Sequence, residues 1–122
     1  MTMLLPHIAI DFDGTITRHQ LKYRALSSGL VNLGWHVTVL TAGAGELPRE
    51  DRPREIARRL ASIGFGHGTH YSLIACVEGG EKGFWCRDHN VDFAIDDETN
   101  RLKDITSRSP RTVCLQSWPI NP

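Results

Sequence analysis

The sequence has little of what marks a secreted, membrane-embedded or polyanion-binding protein. It holds three cysteines, Cys76, Cys86 and Cys114, an odd number with no C-x-x-C pair. That argues against a disulfide framework and for reduced thiols. No stretch approaches the roughly 20 apolar residues a membrane-spanning helix needs. The opening "MTMLLPHIAIDFDG" has no basic n-region, and Pro6 and His7 break its apolar stretch, so it reads as the lead-in to a strand rather than a signal peptide. Net charge is absent too: 14 basic residues balance 14 acidic ones, so no global field favours a nucleic acid. Eleven of the basic residues are arginine, several of them in "REDRPREIARR" at 49–59, read as the solvated face of a helix. The expectation is a soluble, cytoplasmic protein without membrane contact.

What is present is the pattern of one α/β domain. The chain has 122 residues, 40% of them hydrophobic, with no internal repeat and no low-complexity tract. Apolar, β-branched runs at 7–11, 36–40, 72–77, 92–96 and 111–116 predict parallel strands covered on both faces. Between the first two, Tyr23, Leu26, Leu30 and Leu33 recur at helical spacing, and Gly34 offers a stop. Ile56, Ala57, Leu60 and Ile63 form a second stripe, with Asp51 and Pro53 near its start and Gly64 after its end. A further short helix is predicted over 98–106, with Leu102 and Ile105 inward. Residues 117–122 read as an extended tail. Alternating strands and helices imply a Rossmann-like, three-layer domain around a parallel sheet of about five strands.

The polar residues fall where such a sheet binds ligands, outside the carboxyl ends of its strands. "IAIDFDGTIT" ends an apolar run in Asp11 and Asp13. "HVTVL" ends in Thr41, followed by Ala42 and Gly43, and "DFAID" ends in Asp96 and Asp97. Four carboxylates at one edge repel one another unless a cation joins them, and an all-oxygen donor set suits Mg²⁺. Lys82, placed in a loop before the fourth strand, adds a second positive charge. A divalent ion, a lysine and a hydroxyl can together neutralise a phosphoryl group. A carboxylate nucleophile with a second carboxylate as proton shuttle gives D-x-D a chemical reason.

These residues carry a resemblance. The set D-x-D-G-T, strand-end threonine in "VTVLTAG", lysine in "EKGFWCRDHNVDFAIDD" and terminal D-D in "FAIDDE" resembles the haloacid dehalogenase-like (HAD) phosphohydrolase superfamily, across positions 8 to 97. The resemblance implies a Mg²⁺-dependent phosphomonoester hydrolase working through an aspartyl-phosphate intermediate. Asp11 would be the nucleophile and a metal ligand, and Asp13 the general acid/base, with its backbone carbonyl on the metal. Thr41, Ala42, Gly43 and Lys82 would hold the phosphoryl group. Asp96 would be a further metal ligand, and Asp97 would bind through water or orient Lys82. Lys103 is the alternative lysine.

The connections at 16–40 and 42–81 have no room for a cap domain, so the resemblance is to a small capless type with an open site. Such sites accept phosphate on large or flexible substrates, or borrow a lid in a homo-oligomer. The lysine-to-D-D stretch is similar to deoxyribonucleotidase-like and polynucleotide-phosphatase-like branches, which makes a nucleotide or a nucleic-acid terminal phosphate the candidate substrate. Two other readings stand beside it: a phosphotransferase, and a non-catalytic phosphate-binding or scaffolding domain. The spacing of His67, His70, Cys76, Cys86 and His89 matches no compact zinc pattern. Trp85, Arg87 and His89 are weighed both as site-lining residues and as simple packing.

Overall fold

The computed structural model describes residues 5–119. Five strands run in the chain order β1 (His7–Ile10), β2 (His36–Thr41), β3 (Leu73–Cys76), β4 (Phe93–Asp96) and β5 (Val113–Gln116). All pair in parallel, in the spatial order β3-β2-β1-β4-β5. Four helices connect them: α1 (Gln20–Asn32), α2 (Arg52–Ser62), α3 (Lys82–Asp88) and α4 (Thr99–Arg108). The chain steps outward from β1 to β3, then returns to pair β4 against the other side of β1. That reversal opens a crevice at the carboxyl end of β1, where ligands of such sheets sit.

The two faces of the sheet are separate cores, as strand alternation requires. Ile8, Ile10, Val37, Val39 and Ile95 meet Tyr23 of α1 and Ile56 and Leu60 of α2. Ala9, Leu40, Ala75 and Ala94 meet Cys86 of α3 and Ile105 of α4. The small residues on the second face let α3 and α4 pack close. The result is the expected single three-layer α/β domain, with only α1 between β1 and β2 and α2 as the long helix between β2 and β3, and no cap.

Three expectations need correction. The outer strands are not covered on both faces: Leu73, Val113 and Leu115 are exposed, because no helix reaches past β4 or β2 on those sides. Leu33 is 71% exposed at the end of α1, since the helix turns it away before Gly34 reverses the chain at φ +87°. Lys82 does not lie in a loop but opens α3, following a tight turn over Gly79–Glu81. The tail expected at 117–122 is described to Pro119. Ser117 is buried, its hydroxyl 2.6 Å from Tyr23 Oη, so this part belongs to the fold; 120–122 lie outside the described residues.

Candidate functional site

β1 delivers Asp11 to the crevice. The Asp11 amide donates to the Ile95 carbonyl (3.0 Å), so strand pairing with β4 fixes its backbone, and the residue is 7% exposed. The chain then makes a wide irregular turn over Phe12–Ile16, in which Asp13 is extended and Gly14 takes φ +81°. Only glycine fits there. Beyond the left-handed conformation, a Cβ on Gly14 would stand 2.6 Å from Asp97 Oδ2. The turn brings back Thr15, fully buried, whose hydroxyl lies 3.0 Å from Asp11 Oδ2 and 3.3 Å from Asp97 Oδ1. Thr15 therefore ties the two ends of the acidic set together.

Lys82 is the centre of the site. Its Nζ donates to Asp11 Oδ1 at 2.7 Å and to Asp96 Oδ2 at 2.8 Å, and all three side chains are buried. The preceding turn places it: the Glu78 amide donates to Glu81 Oε1 (2.9 Å), and Arg52 holds Glu78 at 3.0 Å. Burial works against the ammonium, but Asp11 and Asp96 outweigh it and hold Lys82 above the usual lysine range. Burial also pushes Asp11 up to about 7, with Lys82 opposing and Asp96 adding to the rise.

β2 contributes Thr41, 1% exposed, whose hydroxyl oxygen accepts from the Gly43 amide at 2.9 Å. Its own O–H is left to donate. Gly43 matters by its missing side chain, since a Cβ would come 2.7 Å from Asp13 Oδ2. Arg52 stiffens the following loop by donating to the carbonyls of Leu47 (2.9 Å) and Gly45 (3.1 Å). Asp96 Oδ1 accepts from the Glu98 amide at 3.0 Å, which turns the chain into α4.

One cavity collects the residues singled out in the sequence: Asp11, Asp13, Thr41, Ala42, Gly43, Lys82 and Asp96 line it together. Asp97 lies beside it, and carboxylate oxygens of Asp11, Asp96 and Asp97 fall within 4.8 Å of one another, a set that could hold a metal ion. The Asp13 side chain is exposed and leans over Gly43 instead. Asp97 does not orient Lys82, whose hydrogen bonds go to Asp11 and Asp96. Lys103 is exposed on α4, away from this bridge.

The site also has members that the sequence did not announce. Glu98 and Arg101 line the cavity, with the Arg101 guanidinium lying against the backbone at Gly79. Conversely, Trp85, Arg87 and His89 are not among its lining residues. Trp85 stacks on His89 (3.9 Å between centroids) and meets His7 edge-on (5.9 Å), at the amino end of β1. Seven residues of α3 are enough to carry the chain from the carboxyl edge of the sheet to the opposite one.

No family model matches the chain, and no curated protein matches it. Among solved structures, it is similar to a universal stress protein in complex with cAMP, with a TM-score of 0.56 and 12% identity, over 93% of this chain and 97% of the other. At that identity the likeness is one of fold, and it supports the Rossmann-like, three-layer reading. Among the described residues no helix is long and apolar enough to cross a membrane.

These findings correct the family expected from the motifs. The match is to a universal stress protein and not to a haloacid dehalogenase-like phosphohydrolase. Membership of that superfamily, the phosphomonoester hydrolase activity with its aspartyl-phosphate intermediate, and the phosphatase class are not carried forward. The physical reason is that strand-end acids, a hydroxyl and a lysine at the crevice of such a sheet can hold a phosphate without cleaving it. Their spacing reports which groups converge, whereas holding a phosphate and cleaving it draw on the same groups.

Proposed function

We propose that this chain binds a phosphate-bearing small molecule, together with a divalent cation, at the carboxyl edge of its sheet. The observation that carries the reading is the Lys82 bridge. A buried ammonium spans Asp11 and Asp96 in the wall of a cavity that Thr41, Ala42 and Gly43 also line. Two of the three N–H groups of Lys82 go to carboxylates, which leaves one for a ligand. The Thr41 hydroxyl, accepting from Gly43, has its proton free in the same way.

Charge decides the need for a cation. Asp11, Asp13, Asp96, Asp97 and Glu98 face only Lys82 and Arg101, and that excess of negative charge would repel a phosphate. The residues present fit Mg²⁺: the donors are all oxygens, and Asp11 is costly to keep ionised while buried, as its pKa near 7 reflects. Asp11, Asp96 and Asp97 would hold the ion, and the ion would offset their charge and attract phosphate oxygens. The cAMP carried by the structurally similar universal stress protein supports a nucleotide as the ligand class. Three free thiols support a reducing compartment, the cytoplasm.

Isothermal titration with inorganic phosphate and with AMP, in Mg²⁺ and in chelator, tests the reading. Binding should require Mg²⁺ and weaken about tenfold in Thr41→Val, the loss expected for one hydrogen bond to a charged group. Absence of binding for both anions in Mg²⁺, or equal binding in chelator and in the variant, would overturn it.

A further inference from the structure

A second cavity lies on the other side of Asp97, lined by Gly14, Arg18, Gln116 and Trp118 as well as Asp97 itself. We propose that it is a nucleobase subsite, so that the ligand is a nucleotide whose phosphate sits at the Lys82 site and whose base lies against Trp118. The proposal rests on the phosphate-binding reading and names the class of its ligand. No residue lines both cavities, but Asp97 follows Asp96 and belongs to the carboxylate set that could hold the cation, and Gly14 follows Asp13, so chain neighbours line the two.

The chemistry of the second cavity is what a planar heterocycle needs. Trp118 is 42% exposed yet held in place. Its carbonyl lies 3.0 Å from His19 Nε2, and its ring meets Tyr23 at 5.0 Å, Tyr23 being itself fixed on Ser117. Among the described residues, His19 also meets the ring edge-on at 6.0 Å, and the Lys22 ammonium stands 5.0 Å from the centroid on a flexible and exposed side chain that a flat ligand can displace. Gln116 donates from Nε2 to the Asp97 carbonyl at 2.7 Å, with its Oε1 3.5 Å from Thr99 Oγ1. That fixes the amide and leaves one N–H and one lone pair for the edge of a base. Arg18 is exposed and makes no hydrogen bond or ion pair among the described residues, so its guanidinium is available to stack on a base.

Titrations of AMP, ribose 5-phosphate and inorganic phosphate in Mg²⁺ separate the base from the rest of the ligand. AMP should bind at least about tenfold more tightly than ribose 5-phosphate, the scale of one base stacked on an aromatic ring. It should also quench tryptophan fluorescence, since Trp35 and Trp85 are already stacked, on Phe93 and His89. Trp118→Leu should remove that advantage and leave ribose 5-phosphate binding unchanged. Arg18→Ala, at an exposed position, should lower AMP affinity severalfold and leave ribose 5-phosphate binding unchanged. Equal affinity for AMP and ribose 5-phosphate in the wild type, or an AMP advantage that survives both substitutions, overturns the subsite while the phosphate reading stands. Failure of all three ligands to bind overturns the phosphate reading and the subsite with it.

Discussion

Replacing Lys82 with methionine keeps an unbranched stem in the same channel and removes the ammonium. In the native protein that ammonium makes two charge-assisted hydrogen bonds, at 2.7 and 2.8 Å, to the carboxylates of residues that are 7% and 2% exposed. Without it, Asp11 and Asp96 are left buried and facing each other. Removing one partner of a buried ion pair costs about 3–5 kcal/mol. For a chain of this size, at about 4 °C per kcal/mol, that lowers Tm by roughly 10–20 °C.

The deficit must depend on pH. Asp11 has a folded pKa of about 7, above its ordinary value of 3.8, so the stability that its protonation contributes is fully present below about pH 4 and lost as pH rises through about 7. Taking the lysine away raises that pKa further, and the variant can recover at pH 5.5 by protonating Asp11, which removes its repulsion with Asp96. Thermal unfolding of both proteins in chelator should therefore show the large deficit at pH 8 and a smaller one at pH 5.5. A variant within about 2 °C of the wild type at pH 8, or a deficit that ignores pH, would refute the reasoning.

Three further outcomes follow from the same geometry. In chelator, the wild-type protein should lose stability between about pH 4 and pH 7 with a slope of up to about 1.4 kcal/mol per unit, and Mg²⁺ should flatten the profile. His7, held by burial below its ordinary value of 6.5, contributes the opposite trend, its stability being lost as pH falls below that value. Urea titrations of Asp11→Asn alongside the wild type isolate the Asp11 part, and coincident profiles would count against it. Gly14→Ala forces φ +81° on an alanine and drives its Cβ toward Asp97, so it should cost about 1–3 kcal/mol and weaken Mg²⁺ binding, measured by calorimetry. Tyr23→Phe removes the 2.6 Å contact with the buried Ser117 hydroxyl and should cost about 1–2 kcal/mol in urea unfolding, with Mg²⁺ affinity unchanged.

The sheet was legible because its strands announce themselves. Apart from Leu40, "HVTVL" and "HIAI" are β-branched or small at the positions that meet a helix, and the acids stand where the apolar runs stop. Lys82 was legible as a charge but not as the start of a helix. In "KGFWCRD" only Lys82, Gly83 and Cys86 are buried, too few for an apolar stripe, and the helix is made by packing of Gly83 against α4, where a Cβ would stand 3.0 Å from the Asp104 carbonyl oxygen. Glu98 and Arg101 were missed for another reason, and Thr15, present in the D-x-D-G-T run, was given no role there. The contacts of each depend on how a turn or helix start points, which residue spacing alone does not give. Trp85 illustrates the converse: it is three residues from Lys82, yet the intervening helical turn carries it toward the other edge of the sheet. The motifs told which groups converge on Asp11, and went astray on the family because convergence alone does not say what becomes of the phosphate.

The most direct test is a ³¹P NMR time course of AMP with the protein, in Mg²⁺ and in chelator, repeated with Asp11→Asn. The account predicts a phosphate resonance that broadens or shifts only when both Mg²⁺ and an intact Asp11 are present, while the signal remains that of AMP. An unchanged AMP resonance would contradict the binding claim. Growth of an inorganic phosphate signal that requires Mg²⁺ and vanishes in Asp11→Asn would contradict the corrected assignment and return hydrolysis to this site.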